Sequence, residues 1–152
     1  MRAREVDEVV LLGEGPVPAT LEDLSREADA DDFRGPMAGI LGAMRAKPEA
    51  YWVVAPCDLP LLQPAAVQRL VASRRPEAWA VLPSREGFVE PLLALYEPQA
   101  RALIEEAAAA EEYSLHRLTS SSRVATAEPP TALRRCWFNA NTPQELGSLG
   151  VG

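Results

Sequence analysis

The stretch Trp52-Val53-Val54-Ala55-Pro56-Cys57-Asp58-Leu59-Pro60 sets a carboxylate directly after a run of residues suited to a protein interior. Tyr51 to Ala55 is apolar at every position, on both of the faces between which a strand alternates. Where strands alternate with helices, this pattern predicts a strand buried on both sides of a parallel sheet. Asp58 then falls just beyond the strand's carboxyl end, where open α/β sheets bind their ligands. A carboxylate there is a hard oxygen ligand suited to Mg²⁺, usually held by one or two carboxylates together with substrate phosphates. The alternative is that Asp58 caps the next turn, since Asp-Leu-Pro is itself turn-like.

Working outward, Glu8 to Leu12 reads as a short buried strand, stopped by Gly13-Glu14-Gly15-Pro16-Val17-Pro18. Thr20 to Glu27 is expected to form a helical turn or two. Met37, Ile40, Leu41 and Met44 mark one face of a helix opening at Pro36, with Gly35 near its cap. Pro64 opens a second helix, with Ala66, Val67, Leu70 and Val71 on one face, and Pro76 closes it. Trp79 to Leu82 and Pro91 to Tyr96 are strand candidates. Gln99 to Glu112 predicts the longest helix, Ser114 to Leu118 a short one, and Val124 to Ala127 an edge strand. Cys136 to Phe138 reads as a last strand, followed by a helix whose start carries a capping box, Thr142-Pro143-Gln144-Glu145. Strands alternating with helices predict one α/β domain with a mainly parallel, Rossmann-like sheet and helices on both faces.

The chain of 152 residues suits a single core. Its net charge of −7 argues against broad nucleic-acid binding, which needs a basic stripe to displace counterions. No apolar run approaches the ~18 residues of a membrane span. The run Val9 to Leu12 is too short for a signal peptide, which points to the cytoplasm. Cys57 and Cys136 stand far apart with no CxxC or neighbouring His and read as two buried thiols. His116 is the only histidine and reads as an exposed helix residue; Lys47 is the only lysine.

Two further groups could carry chemistry. Gly35 and Gly39 at a helix start would let a backbone approach an anion or a base edge, and tight helix packing explains them equally well. Asn139 and Asn141 are either formers of Asx turns or paired amides able to read a heterocycle. Gly13-Glu14-Gly15 lacks the third glycine of a dinucleotide loop and has prolines where a helix should begin.

Together, FRGPMAGILGAM (33 to 44), VVAPCDLPLL (53 to 62), EPLLALY (90 to 96), SLHRL (114 to 118) and FNANTPQEL (138 to 146) resemble the molybdenum cofactor guanylyltransferase family of nucleotidyltransferases. The likeness runs in order from about residue 6 to 149. It implies transfer of GMP from GTP to molybdopterin with Mg²⁺. By the same resemblance Asp58 is the metal-binding acid, and Asn139 and Asn141 are the N-x-N pair near the pterin. Asp29 is the acid that contacts the nucleotide, with Asp31 as the neighbouring candidate, and Gly35 begins the GP motif.

The family also carries a first strand and a loop of the form L-x-GG-x-S-x-RMG-x-DK that wraps the GTP phosphates. These 152 residues hold no such segment, and Val6 to Leu12 aligns with the family's second strand, which puts Met1 near the end of the first helix. A sheet without its first strand is expected, with unpaired edges on Val9 to Leu12 and Tyr51 to Ala55; the chain is expected to close this gap by rearrangement, to fill it with a strand from another molecule such as a second copy, or to aggregate. The expected activity of the isolated chain is nil. Cytidylyl transfer to the same pterin and a non-catalytic pterin-binding or scaffold role are the rival readings.

Overall fold

A computed structural model of the chain describes residues 6–149. The first strand, β1 (Val10–Leu12), pairs in parallel with β2 (Ser25–Glu27), Val10 opposite Ser25 and Leu12 opposite Glu27. The segment between them holds only a 3₁₀ turn, Ala19–Leu21. The expected helical stretch Thr20 to Glu27 is therefore half turn and half strand: pairing with β1, distant in sequence, overrides its local preference. The long helix α1 (Pro36–Ala46) follows, and it buries Met37, Ile40, Leu41 and Met44 as the periodicity predicts.

A second sheet begins with β3 (Trp52–Val54). Its other strands are β4 (Ala80–Arg85), β5 (Phe88–Val89), β6 (Ala94–Tyr96) and β7 (Val124–Ala127), in the order β3-β6-β4-β5 with β7 also on β4. Because β6 is antiparallel to both β3 and β4, those two run the same way, and β7 runs parallel to β4. The sheet is thus mixed: β6 and the hairpin strand β5 are reversed among strands that otherwise share one direction. The carboxyl ends of β3, β4 and β7 consequently lie at one end of the sheet. Among the described residues β1 pairs only with β2 and β3 only with β6, so no strand pairing joins the two sheets. Met1, read as the end of a helix, lies outside the described residues.

Strand alternation splits the interior into two cores. Trp52, Val54, Ala80, Leu82, Ala94 and Tyr96 face α1 and α3 (Ala100–Ala109). Val53, Val81, Leu93 and Leu95 face α2 (Pro64–Ala72) and a 3₁₀ segment, Thr131–Trp137. Helices therefore cover both faces, as expected. The strand predicted at Cys136 to Phe138 is instead the end of this 3₁₀ segment. Curling there buries Cys136 and Trp137 together against the α2 side, which an extended chain could not do because its side chains alternate. Of the two thiols expected to be buried, Cys136 is buried and Cys57 is exposed. His116 is exposed on a 3₁₀ turn, Leu115–Ser120.

Two contacts fix the frame. Arg74, just past α2, donates Nε and Nη2 to Glu97 at 2.6 and 2.8 Å while its guanidinium lies 4.1 Å from the centre of the Tyr51 ring. This ties the end of α2 to the end of β6. On the other face, α1 runs so close to the segment after β2 that a Cβ on Gly42 would stand 2.1 Å from the Ala28 carbonyl oxygen, and Ala30 N–H donates to Ala38 O at 3.0 Å. Among the described residues no helix is long and apolar enough to cross a membrane.

Candidate functional site

β3 ends at Val54, Ala55-Pro56 leads the chain off the sheet, and Cys57-Asp58 forms a turn. Asp58 is half-buried there and held at two points by a segment 81 residues away. Its backbone carbonyl accepts from Ala140 N–H at 2.9 Å, and its Oδ2 accepts from Asn139 Nδ2 at 3.3 Å. The remaining oxygen, Oδ1, is screened from solvent and has no partner. A buried acceptor left so costs about 1–3 kcal/mol, which a bound cation would recover. No group of three His, Cys, Asp or Glu side chains gathers around a common point among the described residues. A metal here would take this one carboxylate from the protein and its other oxygens from a ligand or water, a pattern that suits Mg²⁺.

The 3₁₀ segment explains how Asn139 arrives. Trp137 is buried, and its indole N–H donates to the Leu93 carbonyl at 3.1 Å, which fixes the chain two residues before Asn139. On the far side, α4 (Pro143–Ser148) starts with the complete predicted capping box. Asn141 and Thr142 both donate backbone N–H to Glu145 Oε2, at 2.7 and 3.0 Å. Asn141 is thereby pinned through its backbone while its side chain stays exposed, and among the described residues it forms no hydrogen bond with Asp58. Of the two asparagines, only Asn139 is joined to the acid.

Asp29 belongs to a second cluster. Its Oδ1 lies against the backbone of Gly13, after β1, and of Gly39, in the first turns of α1: a Cβ at these glycines would sit 3.5 and 3.2 Å from it. Asp31 is exposed and touches neither glycine, and the adjacent Asp32 pairs with Arg45 at 3.0 Å. That guanidinium holds the Asp32 carboxyl below its ordinary value. Gly35 caps α1 with φ of 65°, a backbone that side chains rarely adopt, and open space surrounds its Cα. Among the described residues no hydrogen bond or ion pair joins the Asp29 cluster to Asp58; Asp29 follows β2 of one sheet and Asp58 follows β3 of the other.

Three elements of this geometry had no sequence reading: Trp137 as an anchor, the Asn139–Asp58 bond, and Gly13 beside Asp29. The two asparagines and Asp58 could be named from their motifs, but no local pattern announces that residues 81 positions apart share a hydrogen bond.

The profile of the MobA-like NTP transferase domain matches residues 1–127. The chain belongs to this family. A probable molybdenum cofactor guanylyltransferase of Thermococcus gammatolerans is 30% identical over 156 residues, covering 99% of this chain and 80% of the relative. A molybdenum cofactor guanylyltransferase of Rhodopseudomonas palustris is 34% identical over 132 residues, covering 82% of this chain and 62% of its own. Among solved structures, the molybdopterin-guanine dinucleotide biosynthesis protein A of Archaeoglobus fulgidus superposes with a TM-score of 0.69 at 25% identity, over 86% of this chain and 68% of that one. The fold and the family read from the motifs are those of MobA-like NTP transferases.

Proposed function

We propose that this protein is a molybdenum cofactor guanylyltransferase, one nucleotidyltransferase-like domain that joins GMP from GTP to molybdopterin. The observation that carries the reading is the unpartnered Oδ1 of Asp58 at the carboxyl end of β3, in a family whose named relatives are guanylyltransferases. Those names favour guanylyl over cytidylyl transfer.

A phosphate oxygen of molybdopterin attacks the α-phosphorus of GTP in line; the new P–O bond forms as the bond to the β-phosphate breaks, and pyrophosphate leaves. Asp58 would hold Mg²⁺ through Oδ1, and the ion when bound would offset the charge on the phosphate oxygens. Asn139 fixes Oδ2, so the free oxygen points one way, and acts as a positioning residue. Asp29 accepts from donors of the nucleotide, with Asp31 at the rim, and Gly35 lets the ligand approach the backbone at the start of α1. Asn141 faces the pterin side. No side-chain nucleophile is required.

The test is Asp58→Asn in the full-length protein, with GMP transfer measured against GTP and CTP. Loss of an electrostatic group of this kind removes about 3 kcal/mol of transition-state stabilisation, roughly a hundredfold in rate. Turnover within threefold of wild type would refute the role of Asp58, and a preference for CTP would refute the guanylyl reading. A second copy of the chain would pair along the sides of β1 and β3 that have no partner strand among the described residues; a single monomeric species at every concentration in sedimentation velocity would contradict that.

A further inference from the structure

Outside the two clusters lies a cleft of about 490 Å³ between the β4–β5 hairpin and the 3₁₀ segment Thr131–Trp137. Arg85 and Glu90 line it from the hairpin side, Arg134 and Arg135 from the segment, and Leu61 from the chain beyond Asp58. Its charge is unlike that of the whole molecule. Three arginines face two glutamates, Glu86 and Glu90, for a net of +1 in a chain of −7.

The arginines retain donors for a ligand. Arg85 gives one terminal nitrogen to Glu90 at 3.0 Å, and Arg134 gives one to Glu128. The Nε of each is screened from water, so a ligand in the cleft would meet the remaining terminal nitrogens. Arg135 forms no ion pair among the described residues. Guanidinium groups donate readily to the oxygens of a phosphate or carboxylate, and three of them line this one cleft. The cleft also has aromatic walls: Phe88 is 76% and Phe138 39% exposed, rings that no core claims. Exposed faces beside cationic forks suit a flat heteroaromatic compound that carries an anionic group.

We propose that this cleft seats the acceptor of the transfer, its ring against Phe88 and Phe138 and its anionic group on Arg85, Arg134 and Arg135. The placement rests on the guanylyltransferase reading above. Leu61 is three residues past Asp58, and Phe138 immediately precedes Asn139, whose amide meets that carboxylate. A ligand filling the cleft therefore lies next to the metal-binding end of β3.

The experiment is a fluorescence titration with pterin-6-carboxylate, a stable anionic pterin, on wild type, Arg134→Gln/Arg135→Gln and Phe88→Ala, beside calorimetry with Mg²⁺ and GTP. Phe88→Ala alters an exposed hairpin position and keeps the test open if the arginine variant folds poorly. The double arginine variant is expected to weaken the probe about tenfold or more, and Phe88→Ala about fivefold, as lost charged hydrogen bonds and ring contact imply. GTP affinity should stay within about twofold, because the Asp29 cluster lies elsewhere. Probe affinity unchanged in both variants would overturn the proposal, as would an equal loss of GTP affinity. Arginine-dependent probe binding in a full-length protein that transfers no GMP would uphold the cleft and refute the guanylyltransferase reading instead.

Discussion

Replacing Gly42 by alanine asks whether the crossing of α1 over the segment after β2 positions Asp29. Gly42 is seven residues into the helix, where alanine is ordinarily better by about 1 kcal/mol. Here the added methyl would meet the Ala28 carbonyl oxygen at 2.1 Å and Ala30 N at 3.3 Å. Ordinary contact needs about 3.5 Å, so helix and segment must part by more than an ångström. Overpacking of this kind costs about 1–3 kcal/mol, and strain on the Ala30 to Ala38 hydrogen bond adds about 1. Net of the helix gain, we expect a loss of about 1–3 kcal/mol, a fall of roughly 3–10 °C in midpoint for a chain of this length. Because Asp29 rests on Gly13 and Gly39 across the same crossing, misplacing it by about 1 Å should lower GMP transfer by up to about a hundredfold. Gly147→Ala in α4, where nothing lies within 4 Å of the added methyl, is the control and should be neutral or stabilising by up to about 1 kcal/mol. Thermal unfolding and initial rates read both effects. A Gly42→Ala protein as stable and active as Gly147→Ala would refute the reasoning.

Tyr96 is buried with its hydroxyl donating to the Pro91 carbonyl at 2.5 Å, and burial raises its pKa above the ordinary 10.0. The unfolded chain ionises first, so stability is full below pH 10 and declines as pH rises beyond it; Tyr96→Phe should flatten that decline in alkaline unfolding curves while costing about 1–2 kcal/mol at neutral pH. An unchanged alkaline slope would exclude Tyr96 as its source. Asn139→Leu removes the partner of Asp58 Oδ2, and loss of a group that orients a metal ligand typically costs about 10–100-fold in metal affinity. The Mg²⁺ concentration for half-maximal transfer should rise accordingly with the midpoint of unfolding little changed, and identical Mg²⁺ curves would dismiss the positioning role.

What the sequence made legible was chemistry contained in a short stretch. Pro36 and Pro64 at helix starts, the Thr142–Glu145 box and the apolar run before Asp58 each carry their cause within about five residues, and each stands where it was expected. The failures share another cause. Nothing between Pro91 and Tyr96 says that β6 is to run against its neighbours, because direction is set by which strand waits beside it. The hairpin strand β5 went unread because its turn, Glu86-Gly87, places a glutamate at φ of 51°, a conformation usually left to Asn, Asp or Gly. Cys136-Trp137-Phe138 has strand composition and curls anyway, since burying adjacent side chains on one side outweighs β-propensity.

For the site, motif residues could be named but not their division of labour. Asp58, Asn139, Trp137 and the arginine cleft belong to the α2 face, where Trp137 is fastened to Leu93. Asp29, Gly35 and Gly39 belong to the α1 face, fastened through Gly42 and Ala28. The five-stranded sheet separates these faces, and the Asp29 cluster follows β2, a strand of the other sheet. Perturbations of the two faces should therefore add rather than couple. Gly42→Ala ought to weaken GTP binding and leave pterin-6-carboxylate in its cleft, and Phe88→Ala ought to do the reverse. On the proposed placement of the two substrates, separately fastened faces would let the chain order one without the other, and Asp58, at the end of the strand both cores share, would be the point at which the two bound ligands meet.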